Sequence, residues 1–190
     1  MKIAYEYSHL GGSEILQIRF PNILKEIYQV ISKVKANKTK ESKEKTSKGE
    51  LFYNPADMNK QFKNLFYSLK YKELKETYTI SIPNHTYQVK GGYKQIDFEK
   101  EKVLIEVQFG KYFSMFYDMA KFQYFFNESK AEVGVEIVPC HPLYRKMSSG
   151  VSYGEQLVYD IERLKRHFPA VPVKVILIAP DEFDLKKIYK

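Results

Sequence analysis

The sequence is poor in residues that cross-link or ligate. One cysteine, Cys140, stands among 190 residues. No intrachain disulfide can form, and a zinc site built from several thiolates is excluded. The same scarcity makes a reducing cytoplasm the default setting. The four histidines, His9, His85, His141 and His167, never fall at H-x-x-x-H spacing, which argues against a zinc or histidine-based nuclease centre. Cys140 and His141 are adjacent, but neighbouring side chains rarely point at one another, and Pro139 and Pro142 predict a rigid loop around them. No run approaches about 18 apolar residues, so an ordinary membrane helix is not expected. The opening Met1-Lys2-Ile3-Ala4-Tyr5-Glu6 lacks the apolar stretch of a signal peptide. There is no G-x-x-x-x-G-K-[ST] phosphate loop, which argues against an ATP-driven enzyme. No repeat and no linker divides the chain, so one domain is expected over residues 1–190.

What the chain has is positive charge and aromatic rings. Lys and Arg number 31 against 23 Asp and Glu, for a net +8. Such a surplus favours a polyanionic partner, nucleic acid before an anionic membrane. It is concentrated in residues 33–48, KVKANKTKESKEKTSK, where seven lysines against two glutamates give +5. A solvated loop and an arm that orders on a phosphate backbone both fit that composition. The aromatic run at 112–126 suits base stacking, core packing or a subunit interface.

Apolar spacing predicts helices over 21–34, 57–74, 113–127 and 153–167. Strands are expected at 77–82, 94–98, 102–109, 132–138 and 173–179, with a turn at Gly91-Gly92 and another at Glu99-Lys100-Glu101. The order implies an α/β fold, a mixed sheet flanked by helices.

Chemistry concentrates in Ile96-Asp97-Phe98 and Ile105-Glu106-Val107-Gln108-Phe109. Val103, Ile105, Val107 and Phe109 share one strand face, and Glu106 and Gln108 lie on the other with Leu104. Antiparallel pairing brings Asp97 opposite Leu104 or Ile105 and makes Asp97 and Glu106 direct or diagonal neighbours. Two carboxylates that close repel, and either one takes a raised pKa or a divalent cation sits between them. Mg²⁺ would polarise a phosphodiester there, and the Gln108 amide is placed to hydrogen-bond the water or a phosphate oxygen. Solvated carboxylates on an exposed sheet face are the alternative. An Asp followed after several residues by Glu-x-(Lys or Gln) on a strand is the pattern of PD-(D/E)XK nucleases.

Residues Gln95–Tyr112, QIDFEKEKVLIEVQFGKY, resemble the active-site segment of the BglII/BstYI group of type II restriction endonucleases. Glu41–Pro55 (ESKEKTSKGELFYNP), Tyr5–Gln17, GVEI at 134–137, MSSGVSY at 147–153 and Ile178-Ala179-Pro180 resemble the same group in the same order. Residues 68–93 match poorly. The resemblance implies a PD-(D/E)XK restriction-endonuclease-like fold, a homodimer, Mg²⁺ and double-strand cleavage of a palindrome, with relatives pointing to a GATC-containing site. It assigns Asp97, Glu106 and the Val107 carbonyl to the metal and Gln108 to the position usually held by lysine. A neutral amide accepts no proton near pH 7, so Gln108 is not the general base. A fourth active-site position is expected from the preceding helix, with Glu73 preferred over Glu76. Lys111, Ser148 and Ser149 match base-reading positions, and Lys43 and Lys45 fall within the matched lysine-rich segment. The other readings are a repair or junction-resolving nuclease of the same superfamily and a non-catalytic DNA-binding module.

Overall fold

The most apolar strands expected from the sequence, GVEIV and VKVILIA, form the centre of the molecule. In the computed structural model, which describes residues 1–42, 48–148 and 150–188, they are β7 (Val133–Pro139) and β8 (Val173–Ala179), buried at every position. Continuous apolar runs of this kind suit strands covered on both faces. They pair in parallel, and β6 (Val103–Val107) joins β7 in parallel as well. β1 (Lys2–His9) pairs antiparallel with β8. On the other side β5 (Gln88–Lys100) and β4 (Lys72–Ser81) are antiparallel. The sheet order is β1-β8-β7-β6-β5-β4. The expected mixed sheet with flanking helices is therefore present.

One helical layer is α1 (Gly12–Arg19), α2 (Pro21–Lys33) and α3 (Pro55–Ser68). α2 buries Ile23, Leu24, Ile27, Val30 and Ile31, the stripe its apolar spacing predicts. α3 starts at Asn54, whose side chain accepts hydrogen bonds from the backbone N–H groups of Ala56 and Asp57 at 3.1 and 3.4 Å, with Pro55 in the first turn. Against the sheet lie α4 (Tyr112–Asn127), the short α5 (His141–Tyr144), which covers part of the expected Cys140–Pro142 loop, and α6 (Gly154–Leu164). At Gly134 an added Cβ would stand 2.6 Å from the Phe122 ring, so only glycine lets α4 close onto β7 here. A last short helix, α7, spans Leu185–Ile188. No described helix is long and apolar enough to cross a membrane.

Three expectations need correction. The helix predicted over 57–74 stops at Ser68: Lys70 turns left-handed (φ 70°) and the chain re-enters the sheet as β4. Glu73 and Glu76 thus ride a strand, not a helix. Gly91-Gly92 is no turn; both residues lie inside β5, where Gly92 pairs with Tyr78 and leaves room for its ring. The connection between β5 and β6 is a two-residue turn at Glu101-Lys102, both with positive φ (53° and 66°), a geometry that matches strand twist. The sequence reading also left β1 and α1 unassigned. Within the lysine-rich segment, β2 (Lys38–Glu41) pairs antiparallel with β3 (Leu51–Tyr53), so that part of the segment is a hairpin strand.

Candidate active site

The β5–β6 register sets the geometry. Phe98 pairs with Ile105, Glu99 with Leu104 and Lys100 with Val103. The next step along both strands places Asp97 directly across from Glu106, one position beyond Ile105 and two beyond Leu104, so the two acids are direct neighbours. Cross-strand neighbours of this kind have Cβ atoms roughly 4.5–5.5 Å apart. Asp97 is exposed and lines a cavity of about 190 Å³ together with Glu73, Val107 and, from α3, Asn59 and Lys63. The wall behind it is aromatic: Phe98 packs on Phe66 at 4.7 Å between ring centroids and edge-on to Tyr67 at 5.8 Å.

Glu106 has the opposite surroundings. It is 3% exposed and ion-paired with Lys121 of α4. Lys121 also holds Asp118 Oδ1 at 2.7 Å. The Gln108 amide donates to Asp118 Oδ2 at 2.9 Å, and the Gly110 backbone N–H donates to Gln108 Oε1 at 2.9 Å. An unbroken polar chain therefore runs from Glu106 to the turn that opens α4. Burial, then the negative charges of Asp118 and Asp97, push the Glu106 carboxyl well above the usual carboxylate range, against the pull of Lys121. Burial raises Asp118 as well, opposed by Lys121 and Gln108. For Lys121 burial works against the charge, but Glu106 and Asp118 outweigh it and hold its pKa above the ordinary lysine value. Beside Glu106 in the β6–β7 register is Glu136, wholly buried, with no hydrogen-bond partner on either carboxyl oxygen. Burial, with Asp118 and Glu106 nearby, raises it strongly.

A family model for the restriction endonucleases BglII and BglIII matches residues 4–178. The chain belongs to the BglII/BglIII restriction endonuclease family. Among solved structures it is similar to BglII complexed with a DNA 16-mer, at 24% identity and a TM-score of 0.74, covering 96% of this chain and 79% of that one. It is also similar to free BglII, at 21% identity and a TM-score of 0.65, covering 96% of this chain and 82% of that one. At these identities the structures speak for a shared fold, and the family model carries the membership. No curated protein sequence gives a significant match.

Against that BglII-type frame, the residues singled out in the sequence fall into two places. Asp97, Glu106, Val107 and Glu73 gather around the hairpin. Glu76 does not join them; it pairs with Lys130 at 2.7 Å. Lys111 and Ser148 line a second groove of about 730 Å³, together with Lys40, Asn54 and Gly150. Lys40 Nζ donates to Ser148 Oγ at 3.0 Å. The Ser152 N–H donates to the Gly110 carbonyl at 2.9 Å, which ties the serine-rich loop to the residue before Lys111. Lys43, Lys45 and Ser149 lie outside the described residues.

Sequence reasoning missed Lys121, Asp118, Glu136, Asn59 and Lys63. The spacing of Asp118 and Lys121, three apart on one helix, was visible, but their meeting with Glu106 is a contact between distant segments. Asn59 and Lys63 had a weaker signal, two polar residues four apart on α3.

Proposed function

We propose that this chain binds duplex DNA as a homodimer and hydrolyses one phosphodiester per subunit at a short palindromic site, with Mg²⁺, leaving 5′-phosphate and 3′-hydroxyl ends. The observation that carries the reading is Asp97 opposite Glu106 on the hairpin, with Val107 and Glu73 at the same cavity. Among the described residues no three His, Cys, Asp or Glu side chains converge into a cage for a metal. Mg²⁺ needs none, since it is usually held by one or two carboxylates plus phosphate oxygens and waters. The donor set fits: Asp97, the Glu106 oxygen turned away from Lys121, and the Val107 carbonyl. An ion held there supplies charge to polarise the phosphodiester and stabilise the leaving oxygen. Glu73 faces the same space and accepts a hydrogen bond from the attacking water. Gln108 acts at one remove, because its amide is engaged by Asp118 and Gly110.

Sequence readout belongs to the second groove. Lys111 is a donor suited to guanine O6 and N7, and Ser148 donates or accepts at a base edge; the resemblance adds Ser149, Lys43 and Lys45, outside the described residues, as contacts to bases and phosphates. Relatives in the group suggest a six-base site containing GATC. The dimer reading is supported by α4, where Phe113 (68% exposed) and Tyr117 (50% exposed) flank an apolar groove with Phe116 and Phe168, a composition typical of interface centres.

Plasmid digestion with and without Mg²⁺, followed by sequencing of the ends, tests the reading. Discrete fragments with a common palindrome at every end are expected, and Asp97→Asn should abolish them. Cutting confined to branched DNA would point instead to a junction-resolving activity. Absence of any Mg²⁺-dependent cutting would overturn the proposal.

A further inference from the structure

We infer that Lys63, with Asn59 one turn before it on α3, is a substrate-contacting residue that grips the phosphate at the cut. The inference rests on the hydrolytic reading above. Asn59 and Lys63 are four residues apart, so they share a helix face, and both line the cavity that holds Asp97 and Glu73. Lys63 is the one cation among the described residues lining it. Its Nζ stands 5.5 Å from the centroid of the Tyr67 ring, and it makes no ion pair with a described residue. The ring holds the ammonium near the cavity wall without neutralising it.

The buried cation beside Glu106 is committed elsewhere. Lys121 is buried between Glu106 and Asp118. Gln108, at the position where related nucleases carry a strand lysine, turns its amide toward Asp118 and Gly110. A phosphodiester entering the cavity therefore meets carboxylates on β4 and β5 and finds positive charge on α3 alone. Lys63 has three N–H donors and no acceptor, and Asn59 adds an amide donor. Together they can hold a non-bridging phosphate oxygen in the cavity that Asp97 also lines. Charge stabilisation that the strand position does not supply thus comes from the neighbouring helix.

The test uses the full chain and a short duplex carrying the site found by plasmid digestion. Single-turnover cleavage is measured in Mg²⁺, and duplex binding is measured in Ca²⁺ across a salt series. Lys63→Gln should slow the cleavage step by about 10²–10³-fold, the usual loss on removing one electrostatic donor. Lys63→Arg should recover most of that loss. The slope of log affinity against log salt should fall by about 0.9, the value for one phosphate contact. Thermal stability and Ca²⁺ binding should stay at wild-type values, because Lys63 is exposed and is not a metal ligand. Lys60→Gln, exposed on the same helix but off the cavity, should cleave normally. Wild-type cleavage by Lys63→Gln with an unaltered salt slope would overturn the assignment, as would loss of Ca²⁺ binding or folding in that variant. If Asp97→Asn cuts as well as wild type, the hydrolytic reading itself fails and Lys63 falls with it. Cutting that depends on Asp97 but not on Lys63 sinks the Lys63 assignment alone.

Discussion

Asp97 and Glu106 stand opposite one another across one hairpin, but Asp97 is exposed in a cleft whereas Glu106 is 3% exposed and paired with Lys121. The difference shows how a protein can hold two carboxylates close together before any metal binds. One is left to water, which screens it. The other is buried and takes its counter-charge from inside the fold. The Lys121 contact is made to one Glu106 oxygen, Oε1. Orientation, which solvent cannot supply, comes from the buried side.

Removing the internal cation should break this contrast most severely. Lys121→Met leaves Glu106, Asp118 and Glu136 together without a positive partner, and breaking a buried pair in this way costs about 3–5 kcal/mol. Urea unfolding should show that loss, and Lys121→Arg should recover part of it. Next in size is the difference between the two carboxylates. Glu106→Gln should destabilise by about 1–3 kcal/mol because it strips a charged partner from a buried lysine. Asp97→Asn, at an exposed position, should stay within about 0.5 kcal/mol of wild type. Calorimetry with Ca²⁺ should find both variants defective in binding, so stability and metal affinity separate the two roles.

A pH-dependent effect of more modest size concerns Glu136. Its folded pKa is raised by burial, so the folded state holds its proton more tightly than the unfolded chain does. The stability linked to that proton is complete below the unfolded carboxyl value and is lost as pH climbs toward the folded one. Glu136→Gln, which mimics the neutral acid, removes the loss. Its melting temperature should match wild type near pH 4 and exceed it at pH 8 by about 2–4 °C, the shift that 1 kcal/mol gives in a chain of this size. Equal melting curves at both pH values would show that Glu136 is not titrating.

Much of the hairpin was legible in the sequence because strand chemistry there is local. Side-chain alternation separated Glu106 from Ile105 and Val107, and short spacing brought Asp97 within reach. The buried strands 133–139 and 173–179 were equally plain from their apolar runs. The exit from α3 was not. Leu69 and Leu74 continue an apolar pattern that fits a helix, yet Lys70 adopts a left-handed conformation and Tyr71 is buried against Phe66 at 5.0 Å between centroids. Pairing with β5 then decides the conformation of 72–81, and no local preference records it. The clasp on Glu106 was hidden for a similar reason. Fifteen residues separate Lys121 from its partner, and only the packing of α4 on the sheet joins them. The lysine-rich segment shows the reverse case. Its charge was obvious, but the placing of Lys40 beside Ser148 depends on the β2–β3 pairing.

The two-residue turn at Glu101-Lys102 acts as the timing device of the strand pair that carries Asp97 and Glu106. Side chains alternate between faces, so the count of residues between Asp97 and Glu106 decides whether the carboxylates arrive in phase. Adding or deleting one residue in the turn would slide the strands by half a period and set Asp97 against Ile105 or Val107, whose side chains point to the other face. Every functional group would survive such a change, and the pair would no longer meet. Loop length in this turn is thus as much a part of the candidate site as the acids themselves.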